Sequence, residues 1–339
     1  MDSDMTTMDV RKVQVTGGSS FVITLPKDWA NSINLKKNDP LGIVAQPDGS
    51  LIISPPDKLD AEASLKVFQV DDIKDHELLF RLLVGAYISG YNTIEVQSES
   101  RLTTEVREAV TRLTQTAIGL EILEEYDKSV ILKDLVDPSE MRFRKSIERM
   151  RVLVKNMLGD CFIALSKKDS SILNDLEMRD NDVDRLEWLI SRQMNMAQRD
   201  NKVARKLGAT PHEVINNFLI GRILERIGDH AIMISNNVRI LIEDDVDDAI
   251  CDQIVRAGEY AISLFSESVD VLFSQDIYAA NANINHIKEL VDICREINRI
   301  ALDQEAETAL AISLIAGSIR RTGEYSTDLS ELTINILMD

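Results

Sequence analysis

Cysteine is scarce in this chain. Cys161, Cys251 and Cys294 are the three present in 339 residues, widely spaced and without a CxxC pair. An odd, scattered set argues against a disulfide framework and against a cysteine zinc site, and for reduced thiols in a cytoplasmic protein. Aromatic residues make up only 5%, which points away from an all-β sandwich and toward helices rich in Leu, Ile and Ala. No uninterrupted apolar run reaches the ~18–20 residues of a membrane helix, so no direct membrane insertion is expected. The opening MDSDMTTMD is acidic and holds no apolar core, so no signal peptide is expected. Also absent are a Gly-rich phosphate loop and a nucleophile–base constellation, so an enzyme is not expected.

Positive charge is short as well: the formal net charge is −19. Such a surface repels nucleic-acid phosphates, so any DNA contact has to be local. It favours divalent cations and basic partners instead. The first 58 residues hold six Lys/Arg and seven Asp, which leaves −18 on the rest of the chain. What is present is otherwise ordinary for a globular protein, with 44% hydrophobic and 28% charged residues. The length favours two or three domains over one core.

Three textures follow one another. Residues 1–56 read as short strands and turns: KVQVTGG, SFVITLP, a short helix opened by Pro26, then LGIVAQ and SLIISP around a PDG turn. Residues 57–138 alternate β-α-β-α-β-β and predict a small α/β sandwich whose sequence carries no catalytic cluster; a spacer or interaction module of unknown role is expected. Residues 139–339 predict only helix, in segments near 139–167, 170–199, 211–241, 247–275, 277–302 and 306–337, with Thr210 and Pro211 marking the start of the third. VDRLEWLIS (183–191) is echoed by VDICREINR (291–299), and LERIGDHAIMIS (224–235) by IRRTGEYSTDLS (319–330). These echoes imply two three-helix repeats, 139–241 and 247–337.

The first repeat carries two acidic stripes. Glu225 and Asp229 stand one turn apart on the outward flank of a helix whose core seam runs through Ile220, Leu224, Ile227 and Ala231, with His230 beside them. On the preceding helix Asp180, Asp184 and Glu187 share one flank in the same way. If the two helices are antiparallel neighbours, five carboxylates and an imidazole converge, a donor set suited to a hard or borderline cation: Fe, Zn, Mn or Mg. The alternative is an ordinary solvated face whose charges pair with Arg222 and Arg226. At the level of the residues both readings stand.

DNDVDRLEWLI followed by GRILERIGDHAIMI resembles the PhoU family of phosphate-uptake regulators over roughly residues 139–339. The resemblance implies two tandem three-helix bundles, with metal ions held on the helix surface by E-x-x-x-D and D-x-x-x-D motifs. Carried onto this chain, it makes Asp180, Asp184, Glu225 and Asp229 the expected ligands, with Glu187 and His230 as candidates. The second repeat departs from the pattern. Lys288 stands at the Asp180 position, Arg320 at Glu225, Glu324 at Asp229 and Tyr325 at His230. Asp292, Glu324 and Asp328 therefore mark a site expected to be weakened or lost.

RKVQVTGGSSFVITLPKDW with NLKKNDPLGIVAQPDGSLIISP resembles the AbrB/SpoVT swapped-hairpin family, which implies an intertwined β-rich DNA-binding dimer. Between Val10 and Pro47 five basic residues face two acidic ones. Arg11, Lys12 and Lys27 are the expected DNA contacts; the plainer reading is a dimerisation module with solubilising lysines. Together the resemblances imply a multidomain, mainly α, cytoplasmic homodimer: a metal-binding regulator of phosphate uptake with a DNA-binding head. Its implied partners are DNA, a phosphate ABC transporter and a sensor kinase. Two alternatives are a metal-dependent phosphohydrolase and a non-catalytic adaptor.

Overall fold

The computed structural model describes residues 9–45, 49–55 and 64–338. The chain divides into two compact units, Met1–Glu62 and Ala63–Asp339. The expected boundary at Pro56–Asp57 lies outside the described residues.

In the first unit β1 (Gln14–Thr16) pairs antiparallel with β2 (Ser20–Val22), and β3 (Gly42–Ala45) with β4 (Leu51–Ser54). Gly17 and Gly18, at φ 63° and 89°, turn the first hairpin in a conformation that disfavours any residue with a Cβ. The helix α1 (Lys27–Ser32) follows Pro26. β1 and β2 are only three residues each, shorter than the sequence pattern implies, and no described residue of this unit is buried. Phe21 is 78% exposed and Ile43 65%. A two-stranded hairpin with an open apolar face is marginal in water.

The second unit begins with two layers. β5 (Leu65–Gln69), α2 (His76–Ile88), β6 (Thr93–Gln97), α3 (Thr104–Thr116), β7 (Leu120–Glu125) and β8 (Ser129–Asp134) form a mixed sheet of order β5-β6-β8-β7 with its two helices. β5 runs parallel to β6, and the other neighbours are antiparallel. Asp75 and Thr103 cap the two helices by accepting hydrogen bonds from first-turn amides. Leu79, Leu83, Ile94, Val96, Leu113 and Leu132 form the core between the layers.

The rest is helical: α4 (Phe143–Lys167), α5 (Leu176–Arg199), α6 (Asn201–Leu207), α7 (Pro211–Glu243), α8 (Asp248–Ser274), α9 (Ile277–Ala301) and α10 (Ala306–Ile336). Thr210 and Glu213 form a reciprocal capping box at the start of α7, with Pro211 in its first turn. Two details differ from the sequence pattern. The expected helix from 170 is broken into a 3-10 turn, Ser170–Leu173, and α5, because the Asp169 side chain caps the turn as a separate piece. The short α6 is additional; Asp200 caps it, and buried Ala204 and Leu207 anchor it.

α4, α5 and α7 form one bundle and α8, α9 and α10 the other, joined through α7 against α10 and α4 against α8. Corresponding helices of the two repeats thus meet, and one apolar core runs through both. His230 and Tyr325, which occupy the same place in the two echoes, face each other with ring centroids 5.8 Å apart. At the other seam Gly258 of α8 lies so close to the Phe162 ring of α4 that a Cβ would overlap it. Gly258→Ala is therefore expected to destabilise the fold by about 1–3 kcal/mol through overpacking, although Ala is the better helix former by ~1 kcal/mol. Urea unfolding checks this, and an unchanged or raised midpoint would show that the seam yields freely.

Candidate metal site

The 3.6-residue period places Asp180, Asp184 and Glu187 on one flank of α5, and Glu225 and Asp229 on one flank of α7. Packing decides what these flanks face. α5 and α7 lie side by side, so Glu225 does not point outward as the sequence pattern suggests; its side chain is only 17% exposed. Glu187 is buried, at 4%.

Asp180 Oδ1 lies 3.4 Å from the position a Cβ on Gly228 would occupy, so the α5 carboxylate reaches the α7 backbone between Glu225 and Asp229.

Burial and mutual repulsion raise the carboxyls of this group above the ordinary carboxylate range. Burial, followed by the charges of Asp229 and Glu225, pushes Asp180 up to about 6. Asp184 is pushed up to about 7 by burial and by Asp180, Asp229 and Glu187. Glu225 also rises to about 7: burial dominates, Arg222 opposes it, and Asp229, Glu187 and Asp184 add to it. Asp229 is raised by burial against the pull of His230, Arg222 and Arg226. These four carboxylates therefore sense one another across the two helices.

One cation bridges the stripe. Arg222 lies 3.5 Å from Glu187 and 3.7 Å from Glu225. Arg226 instead turns toward the Tyr325 ring, 5.9 Å from its centroid. Ser191 donates a hydrogen bond to Glu187. Buried Glu225 Oε2 has no hydrogen-bond partner among the described residues. His230 turns to Tyr325, and its buried Nδ1 likewise lacks a hydrogen-bond partner among them. Burial and Arg321 lower its pKa.

Among the described residues no three His, Cys, Asp or Glu side chains already form a metal-holding group. The residues nevertheless fit a cation. Asp180, Asp184, Glu225 and Asp229 offer an all-oxygen set from two helices, and Glu225 Oε2 accepts no hydrogen bond among the described residues, with the Arg222 guanidinium 3.7 Å away. Glu187 stands at the end of the stripe, held by Ser191 and Arg222, and His230 at its α10 side.

The second repeat is different. Ile287 Cδ1 lies 2.7 Å from where a Cβ on Gly323 would stand, and Leu290 lies closer still, so aliphatic side chains close the place that Asp180 takes beside Gly228. Asp292 pairs with Arg295 at 2.8 Å, and Glu324 with Arg321 at 2.7 Å and Arg320 at 3.7 Å. Asp328 is raised by burial, with Arg321 and Arg226 opposing, and lines a groove between α7 and α10 together with Arg222 and Arg226.

In the first unit Lys12 and Lys27 are exposed and Arg11 pairs with Asp9. Sequence reading misses Arg192 and Asp134, which tie the two-layer part to α5. It also misses Arg295 at the Glu187 position, which the echoed segments of the two repeats would have shown.

Fold and site together define a tandem-repeat helical-bundle protein with an acidic stripe between two helices and a β-rich head. Residues 147–238 match the PhoU domain, and residues 14–60 match the antidote-toxin recognition MazE domain of bacterial antitoxins. The chain thus combines a PhoU domain with an N-terminal domain of the MazE/AbrB type. Its fold is similar to that of PhoU from Pseudomonas aeruginosa, at 20% identity and a TM-score of 0.52, covering 58% of this chain and 95% of that one. It is also similar to the phosphate transport system regulatory protein PhoU from Streptococcus pneumoniae, at 15% identity and a TM-score of 0.50, covering 57% and 93%. No curated protein sequence matches the chain. Among the described residues no helix is long and apolar enough to cross a membrane.

Proposed function

We propose that this protein is a non-catalytic regulator of phosphate uptake that holds a metal ion, Fe, Zn, Mn or Mg, on the α5–α7 stripe and binds promoter DNA through its N-terminal unit. The observation that carries the metal reading is the group of four mutually repelling carboxylates, Asp180, Asp184 and Glu225 half-buried and Asp229 at the exposed edge, in a bundle of PhoU type. Asp180, Asp184, Glu225 and Asp229 would hold the ion, which would supply the positive charge the stripe lacks. Arg222 is engaged by Glu187 and Glu225, so it is not placed to clamp a phosphate ester, which favours regulation over hydrolysis. A phosphate transporter and a sensor kinase are the proposed protein partners.

The open apolar faces of the two hairpins, with Phe21 and Ile43 outward, support a head completed by a second copy. Pairing two heads doubles a local basic surface and gives it the two-fold symmetry of a palindromic site. Residues 1–56, 57–138 and 139–339 are the proposed head, middle domain and sensor. The expected test result is salt-sensitive binding of the full chain to DNA upstream of phosphate-transporter genes. Arg11→Ala with Lys12→Ala should weaken it, with the slope of log K against log salt shallower by about 0.9 for each lost phosphate contact. Fluorescence anisotropy from low to moderate salt reads the slope; the same slope in the double variant would remove these residues from the interface.

A further inference from the structure

The two repeats differ in sign at one place. In the first, Arg222 bridges Glu187 and Glu225. The echoed segments place Arg295 at the Glu187 position, Arg320 at Glu225 and Gly317 at Arg222. Two carboxylates around a cation have become two guanidinium groups around a residue without a side chain. The space left open is a cleft of about 330 Å³ between α9 and α10, lined by Arg295, Arg320, Asn298, Ser313, Ala316 and Gly317. This volume lies within the ~300–1,000 Å³ of small-molecule sites. Nothing stands within 4 Å of where a Cβ on Gly317 would be.

We propose that this cleft binds a tetrahedral oxyanion of the phosphate type between Arg295 and Arg320, in the place corresponding to the Arg222 guanidinium of the first repeat. Both arginines are solvent-facing. Arg295 meets exposed Asp292, and Arg320 lies 3.7 Å from Glu324, whose closer partner is Arg321. Exposed ion pairs of this kind contribute little, so both guanidinium groups can be recruited by an anion. Arginine suits the task because its planar donor fork matches phosphate oxygens. The Asn298 amide and the Ser313 hydroxyl have no hydrogen-bond partner among the described residues and add neutral donors at the same cleft. Lys288, exposed at the Asp180 position, adds positive charge to the same flank. Asp292 and Glu324 are the opposing charges at the rim.

The choice of phosphate over other oxyanions rests on the proposed regulatory function; the anion site itself does not. The test is calorimetric titration of the full chain, treated with a chelator so that no metal-held phosphate contributes, with orthophosphate, sulfate and phenyl phosphate. Saturable orthophosphate binding is expected, weakened at least ten-fold by Arg295→Ala with Arg320→Ala and unchanged by Arg101→Ala, an exposed arginine outside the bundle. Gly317→Glu, which supplies a carboxylate from the protein itself, should abolish binding and raise the melting temperature. Binding confined to phenyl phosphate and lost in the same variants sustains the site as a receptor for an attached phosphate group. Preference for sulfate would sustain the oxyanion site while removing the link to phosphate regulation. No saturable binding of any of the three, or binding that survives the double arginine variant, would overturn the proposal.

Discussion

Glu225→Gln combined with Asp229→Asn is expected to stabilise the metal-free protein at pH 7.5 and to abolish its response to added divalent cation. The carboxyls of Asp180, Asp184 and Glu225 sit at about 6, 7 and 7, above the ordinary carboxylate range near 4. A group whose folded pKa is raised stabilises the fold below its unfolded pKa, and that contribution is lost as pH rises through the folded value. The stripe therefore favours the folded protein in mild acid and works against it as pH rises through these values, when negative charge accumulates and repels across α5 and α7. Melting of the metal-free protein should fall between about pH 5 and pH 8, and the neutralised variant should fall less. A bound cation reverses the neutral-pH penalty. At a hundredfold excess over its dissociation constant it adds about 2.7 kcal/mol, on the order of 5–10 °C for a unit of this size. The shift should shrink at pH 5, because the carboxyls must lose protons to bind metal. Scanning calorimetry with and without Mn or Mg across this range reads both effects. Superimposable pH curves for wild type and variant, or a metal-induced shift that survives in the variant, would show that the stripe is an ordinary helix face.

Arg192→Ala should be the most damaging single substitution in the second unit, at about 3–5 kcal/mol. Arg192 is fully buried on α5, where it donates to the carbonyls of Tyr87 and Tyr91 and to the carboxylate of Asp134 on β8. Its guanidinium also lies 4.6 Å from the centroid of the Tyr87 ring. Truncation leaves Asp134 without its counter-charge in a place where burial already raises its pKa against the pull of Arg192. It also strands two carbonyls at the end of α2, and loosens the junction between the two-layer part and the bundle, where Asn195 donates to the Ile88 carbonyl. Arg192→Met with Asp134→Leu should recover much of the loss, since an apolar pair of similar volume often replaces a buried ion pair at little cost. Urea unfolding measures the stability, and limited proteolysis reports release of the two-layer part. A cost below about 1 kcal/mol for Arg192→Ala would mean that water reaches Asp134 and replaces the guanidinium.

Nothing in the local sequence marks Arg192 as special. It stands among Ser191, Gln193 and Asn195 in the last third of α5 and reads as surface charge. Only the placement of α2 and β8 over that part of α5 turns it into a buried clasp. His230 is similar: its position beside Asp229 suggests a ligand, and the meeting of α7 with α10 turns it toward Tyr325. The Asp180 carboxylate carries no mark of its position either; only the packing of α5 on α7 lays it beside Gly228.

By itself the sequence determined the long helical segments, the succession of strands and helices along the two-layer part, the duplication, and the acidic flanks of α5 and α7. Each of these follows from periods of 3.6 or 2 residues, from capping side chains, and from repeated text, all of which are local. The tertiary structure decided which flank is covered and by what. It half-buried Glu225 and Asp184, brought them within range of Asp180 and Asp229, and set Arg222 across the stripe. In the second repeat it closed Ile287 and Leu290 over Gly323 and opened a cleft beside Gly317. The period of a helix fixes the direction of a side chain relative to its own axis, whereas solvation, pKa and charge partners depend on the neighbouring helix, and that neighbour is chosen by long-range packing.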